Sequence, residues 1–240
     1  MVDAAGRCFG DLSAYGYLYW AGDTNLLTML DEFTDVATQK KLYLECQNIE
    51  THGLDFQQQD ELVVGSPHFS MKSVIEAAYE YDVAALPLIT VKNWQRKAWE
   101  PMKPLWLNLG RELGQVPLWI AQLFCSKLSF CPPLSFKGLE FERTIMFENL
   151  LTGHRESWYS NGKPNPCLGV SIGIQKVDGH CAWGLAIPPS DALQRGLSDL
   201  MMLVKMHQVR MLHDPKKILK KLQQAEPELD STCSLHAKIG

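Results

Sequence analysis

Apolar positions along the chain fall into blocks with two periods, each bounded by residues that start or stop secondary structure. Residues 15–21, Tyr-Gly-Tyr-Leu-Tyr-Trp-Ala, are aromatic-rich and predict a strand ended by Gly22 and Asp23. Leu26, Leu27, Leu30, Phe33 and Val36 recur at helical spacing and predict an amphipathic helix over 24–39 with Asp23 as its N-cap. Residues 41–46 predict a second strand, giving a β-α-β start, and the Gln-rich, glycine-interrupted stretch 47–67 reads as loop. Behind Ser70 a helix is predicted over 71–81, with Val74, Ile75, Ala78 and Tyr81 on one face, feeding a buried strand over 84–91. Pro101 and Pro104 precede two apolar segments at helical spacing, 105–113 and 117–128, and Pro132-Pro133 ends this helical middle.

In the second half Asp178-Gly179 signals a two-residue hairpin turn, because both central positions need positive φ. With Val177 opposite His180, the hairpin at 168–187 pairs Ile174 with Trp183, Ile172 with Leu185 and Val170 with Ile187 on an apolar face. Its other face pairs Gly173 with Gly184 and Ser171 with Ala186, so it is almost bare. A helix is predicted over 191–212 from the stripe Leu193, Leu197, Leu200, Val204 and Met211. Asp214-Pro215 then caps a short basic helix over 216–224. The pattern specifies an α/β or α+β fold with mixed sheet elements, a helical middle and a C-terminal helical pair. A soft boundary near residue 132 separates an acidic α/β lobe, 1–132, from a hairpin-containing α+β lobe with basic C-terminal helices, 133–240, within one domain or as two.

Length and composition leave room for a sizeable core: 240 residues, of which 46% are hydrophobic and 21% charged. No apolar stretch approaches the roughly 18 residues that a membrane helix needs, and residues 1–7 lack the pattern of a secretory leader. A cytoplasmic protein without membrane association is expected. The seven cysteines, an odd number at scattered spacings, fit reduced thiols better than a disulfide framework. Charge is uneven: residues 1–100 hold 7 Lys/Arg against 15 Asp/Glu, and residues 101–240 hold 16 against 12. An acidic first half and a basic end favour either self-association or a polyanionic partner.

Candidate chemistry concentrates in 153–164, Gly-His-Arg-Glu-Ser-Trp-Tyr-Ser-Asn-Gly-Lys-Pro. Arg155, Trp158, Tyr159, Asn161 and Lys163 supply hydrogen-bonding and stacking groups for recognition. His154 and Glu156 are the candidate catalytic pair, as acid or base and its orienting partner. The likeness of His154-Arg155-Glu156 and Pro166-Cys167 to a zinc deaminase signature fails, because Val170 stands where the second cysteine is required. Phosphate loops, dinucleotide fingerprints and hydrolase elbows are missing from the sequence, and no cofactor or metal is expected. Lys216, Lys217, Lys220 and Lys221 fall on the basic helix in i,i+4 pairs suited to phosphates or an acidic protein. The function expected is therefore a noncatalytic binding or accessory protein, such as a subunit of a nucleic-acid-handling complex, with another protein as partner and the basic C-terminal helix as the place where a nucleic acid would bind. An enzyme built on His154 and Glu156, with or without a metal, and a self-associating structural protein are the alternatives.

Overall fold

The computed structural model describes residues 1–58, 60–89, 100–126, 145–149, 153–160, 163–168, 175–177, 180–183 and 192–210. Where aromatic content predicted a strand over 15–21 the chain is helical, as α1 (Ala14–Ala21). Ser13 Oγ accepts the Gly16 N–H at its start, and Gly22 closes its end in the left-handed conformation. Between these caps Tyr15, Tyr19 and Trp20 share one buried face, so packing overrides the β preference of aromatic residues. The helix predicted over 24–39 divides into α2 (Thr24–Glu32), capped by Asp23, and α3 (Val36–His52), capped by Asp35. α3 absorbs the strand predicted over 41–46: Tyr43, Cys46 and Ile49, three residues apart, are its buried positions. The β-α-β start is thus corrected to three helices, α1 lying against both α2 and α3.

The stretch read as loop, 47–67, holds the end of α3 and a hairpin of β2 (Leu54–Gln58) and β3 (Glu61–Ser66). With β1 (Cys8–Phe9) they form an antiparallel sheet of order β1-β2-β3. Gly53 sits at φ 74°, and a β-carbon there would lie 2.1 Å from the Gly65 carbonyl carbon. Only glycine lets the hairpin close against the end of α3. Phe9, Trp20 and Phe56 meet at centroid distances of 5.1–5.3 Å and form, with Tyr15, Leu27 and Ile49, the first hydrophobic core.

A second core begins with α4 (Lys72–Ile89), whose first turn is held by Ser70 Oγ accepting the Lys72 N–H. Val74, Ala78 and Tyr81 are buried on it as the spacing predicts. The helix does not yield to a strand at 84–91; it continues through Ala85, also buried, and Pro87 to Ile89. Pro87 stands inside this helix, near the end of its described span. α5 (Lys103–Gly114) and α6 (Leu118–Cys125) supply the helical middle, and α4 packs against α5 and α7 (Ala192–Arg210).

Beside these helices lies a sheet of order β5-β4-β9-β8. β4 (Met146–Asn149) pairs antiparallel with β5 (His154–Ser157) and parallel with β9 (His180–Trp183), which pairs antiparallel with β8 (Gln175–Val177). Val177 stands opposite His180, the register that the turn sequence requires. β6 (Tyr159–Ser160) and β7 (Lys163–Pro164) form a small separate ladder. The fold is α+β, with helices and small, mainly antiparallel sheets. The boundary expected near residue 132, the second C-terminal helix and the residues carrying most of the apolar and bare hairpin faces lie outside the described residues. No described helix is long and apolar enough to cross a membrane.

Candidate functional site: a cleft at the seam of two cores

The two cores are tied together by a buried ion pair. Asp3 Oδ2 accepts from Arg7 Nε at 2.7 Å and from the Tyr17 hydroxyl at 3.2 Å, while its Oδ1 takes the N–H groups of Ala5 and Arg7. Arg7 Nη2 also stands 2.7 Å from Oδ2, close enough for an ion pair though without a hydrogen-bonding alignment. The guanidinium lies within 5.1 Å of the Trp20 ring and 5.2 Å of the Phe69 ring, and its Nη1 donates to the Gln115 carbonyl at 2.8 Å. Gln58 Nε2 donates to Gln115 Oε1 at 2.6 Å, and Trp119 Nε1 donates to the Ala21 carbonyl at 2.9 Å. Tyr159 donates its hydroxyl to the Val116 carbonyl at 2.5 Å, and burial pushes that phenol well above its ordinary range. These bonds join the loop after α5 to the N-terminal residues on one side and to β6 on the other.

Along this seam opens a cleft of about 920 Å³. Its first wall comes from the loop before β1 and from the β2–β3 hairpin, which supplies Gln57, Asp60 and Glu61. The last turn of α5 forms the second, with Arg111 and Glu112. The third is the segment 163–168, where Lys163 and Asn165 stand among Pro164, Pro166 and Leu168. Gly114 faces this segment, and a β-carbon there would make ordinary contacts with Pro164 and Leu168 at 3.6 Å. Asn165 shapes the third wall, its Nδ2 donating to the Ser157 carbonyl at 3.0 Å and its Oδ1 accepting the Cys167 N–H at 3.0 Å. Among the described residues the cleft presents two cations, three carboxylates and several amides beside apolar side chains, a set suited to hydrogen-bonding a polar chain and pairing charges of both signs.

The residues singled out in the polar tract separate in space. Lys163 lines the cleft, whereas His154 and Arg155 are exposed on β5 and are not part of its described lining. His154 stands opposite Asn149 in the ladder and Glu156 opposite Phe147; Glu156 is half-buried, with Asn165 Nδ2 at 3.5 Å. Trp158 offers no stacking face: it is wholly buried between Phe124 and Phe147, and its Nε1 finds no acceptor among the described residues. Tyr159 points its hydroxyl inward, as above. Asn161, Lys216, Lys217, Lys220 and Lys221 lie outside the described residues. Among the described residues no group of three or more His, Cys, Asp or Glu is placed to hold a metal ion. Gln57, Asp60, Glu61, Arg111 and Glu112 escaped the sequence reading; the continuous polar run 57–61 was the local sign of the first three, and Arg111 and Glu112 had none.

Fold and site together define an α+β protein with a polar cleft where two hydrophobic cores meet. The chain belongs to the family described as the CBUA0006 C-terminal domain, which matches residues 87–222. It is also similar to the "Uncharacterized protein CBUA0006" of Coxiella burnetii (strain RSA 493 / Nine Mile phase I), at 23% identity over 248 residues covering 95% of this chain and 67% of that protein. No solved structure matches the chain significantly. The family match contains the α5 and 163–168 walls of the cleft, while the sheet wall precedes it.

Proposed function

We propose that this chain is a noncatalytic binding protein whose seam cleft holds a segment of a partner polypeptide. The observation that carries the reading is the lining: Arg111 and Lys163 stand with Asp60, Glu61 and Glu112 beside the apolar Pro164 and Leu168. Among the described lining residues a polyanion would meet three carboxylates and two cations, whereas a peptide brings amides, apolar side chains and charges of both signs. The buried Asp3–Arg7 pair and the Gln58–Gln115 bond hold the walls in place before any ligand arrives, which lowers the ordering cost of binding.

Selection of random peptides displayed on phage against the immobilised chain tests this. Enriched peptides, synthesised and titrated individually, are expected to lose about tenfold or more in affinity for an Arg111→Glu, Lys163→Glu double variant. Equal affinity for both proteins contradicts the reading. So does a screen without enrichment in which a single-stranded oligonucleotide binds with a steep salt dependence.

A further inference from the structure

We propose that the free edge of β3 is a separate interaction surface, which takes up an extended, cationic segment of another polypeptide by β-strand addition. β3 is the last strand of the order β1-β2-β3, so among the described residues it is paired on one side only. Gln58 stands opposite Glu61 at the start of the hairpin, and in a hairpin with that spacing the first pair is the hydrogen-bonded one. Alternation then turns the N–H and C=O of Leu62 away from β2, returns Val63 to Phe56, and turns the Val64 N–H outward again. The side chains agree with this phase: Val63 packs on the first core, while Leu62 and Val64 are 69% and 68% exposed. Lysine or proline often blunts such an edge, and β3 has neither. A bulge follows Val64, where the Gly65 N–H is taken by Asp55 Oδ1 at 2.8 Å, so the ladder on offer is short.

Charge identifies the occupant. Residues 1–66 hold three Lys/Arg against eleven Asp/Glu, a net of −8, and one of those cations, Arg7, is buried against Asp3. Asp60 and Glu61 are exposed at the start of the strand. A second copy would set two such acidic units side by side, which repulsion opposes, whereas a Lys- or Arg-bearing strand offsets the charge. In antiparallel pairing the basic residues belong at the C-terminal end of the incoming strand, opposite Asp60 and Glu61. The edge shares Asp60 and Glu61 with the cleft and differs from it at Leu62 and Val64, which are not part of the described lining.

The probe is a fluorescently labelled peptide alternating valine with threonine and ending in two lysines, titrated by anisotropy against the full chain. Affinity is expected to fall about tenfold or more when glutamates replace the lysines. It is expected to fall similarly in Leu62→Pro, which removes the outward N–H at an edge position where proline is tolerated. N-methylation of the peptide on the groups facing β3 should have the same effect while leaving the protein untouched. The loss in Leu62→Pro, at a position outside the described cleft lining, separates this surface from the cleft, and equal binding by Leu62→Pro and the parent chain overturns the proposal. No binding of the lysine peptide, or equal binding of its N-methylated form, overturns the proposal. Dimerisation of the chain that is abolished in Leu62→Pro also overturns it, by giving the edge to a second copy.

Discussion

Two residues carry the sharpest physical constraints. Gly53 adopts φ 74° with its α-carbon against the Gly65 backbone, so alanine meets both a strained conformation and a contact of 2.1 Å. Gly53→Ala is expected to cost about 3 kcal/mol or more, read as a lower urea midpoint at unchanged slope. Asp82 is 7% exposed on α4, its Oδ2 has no hydrogen-bond partner among the described residues, and burial pushes its carboxyl up to about 7. A carboxyl that holds its proton more tightly folded than unfolded stabilises the fold at low pH. That stability is lost as pH rises from about 4 to about 7, and the loss is complete above. Asp82→Asn is expected to flatten this slope and to raise stability at about pH 8 by an amount on the order of 2 kcal/mol. Urea titrations of both proteins across that range check it, and parallel pH profiles would remove Asp82 as the cause.

Helix boundaries in the N-terminal unit follow from caps more than from the residues between them. Ser13 Oγ accepts the Gly16 N–H at 2.9 Å and also contacts the Glu45 carboxylate of α3. Ser13→Ala is expected to cost about 1 to 2 kcal/mol, and Ser13→Thr, which keeps the hydroxyl, to recover most of it. The pairs Ser13 with Gly22 and Asp35 with Gly53 are present in the sequence and frame α1 and α3. Aromatic content nevertheless pointed to strands, because Tyr and Trp carry β preference and a short apolar run does not declare its period. The hairpin at Asp178-Gly179 was legible because a two-residue turn fixes its register locally. The continuation of α4 past Tyr81 was not, since an apolar run containing Pro87 fits a buried strand as well as a helix end.

At the scale of the molecule, the seam rests on contacts that no local pattern announces. The bonds from Arg7 and Gln58 to Gln115 span 108 and 57 positions, so the cleft they support could not be read from spacing. Only Lys163, among the binding residues expected from the sequence, reaches the described lining; Trp158 was drawn into the core by its size. Arg7→Ala leaves the Asp3 carboxylate buried without its cation and is expected to cost about 3 to 5 kcal/mol. Hydrogen exchange should then speed up along the seam on both of its sides, at the β2–β3 hairpin and at the end of α5. Loss confined to the N-terminal residues would show that Arg7 does not couple the cores.

The claim that the cleft is a polypeptide-binding site is tested most directly by adding a display-selected peptide to the isotope-labelled chain and following backbone amide shifts by NMR. Saturable shifts clustered at Gln57, Gln58, Arg111, Glu112 and Lys163, all lining the cleft, are expected. Shifts centred on His154 and Arg155 of β5, with the cleft residues unmoved, would contradict that claim.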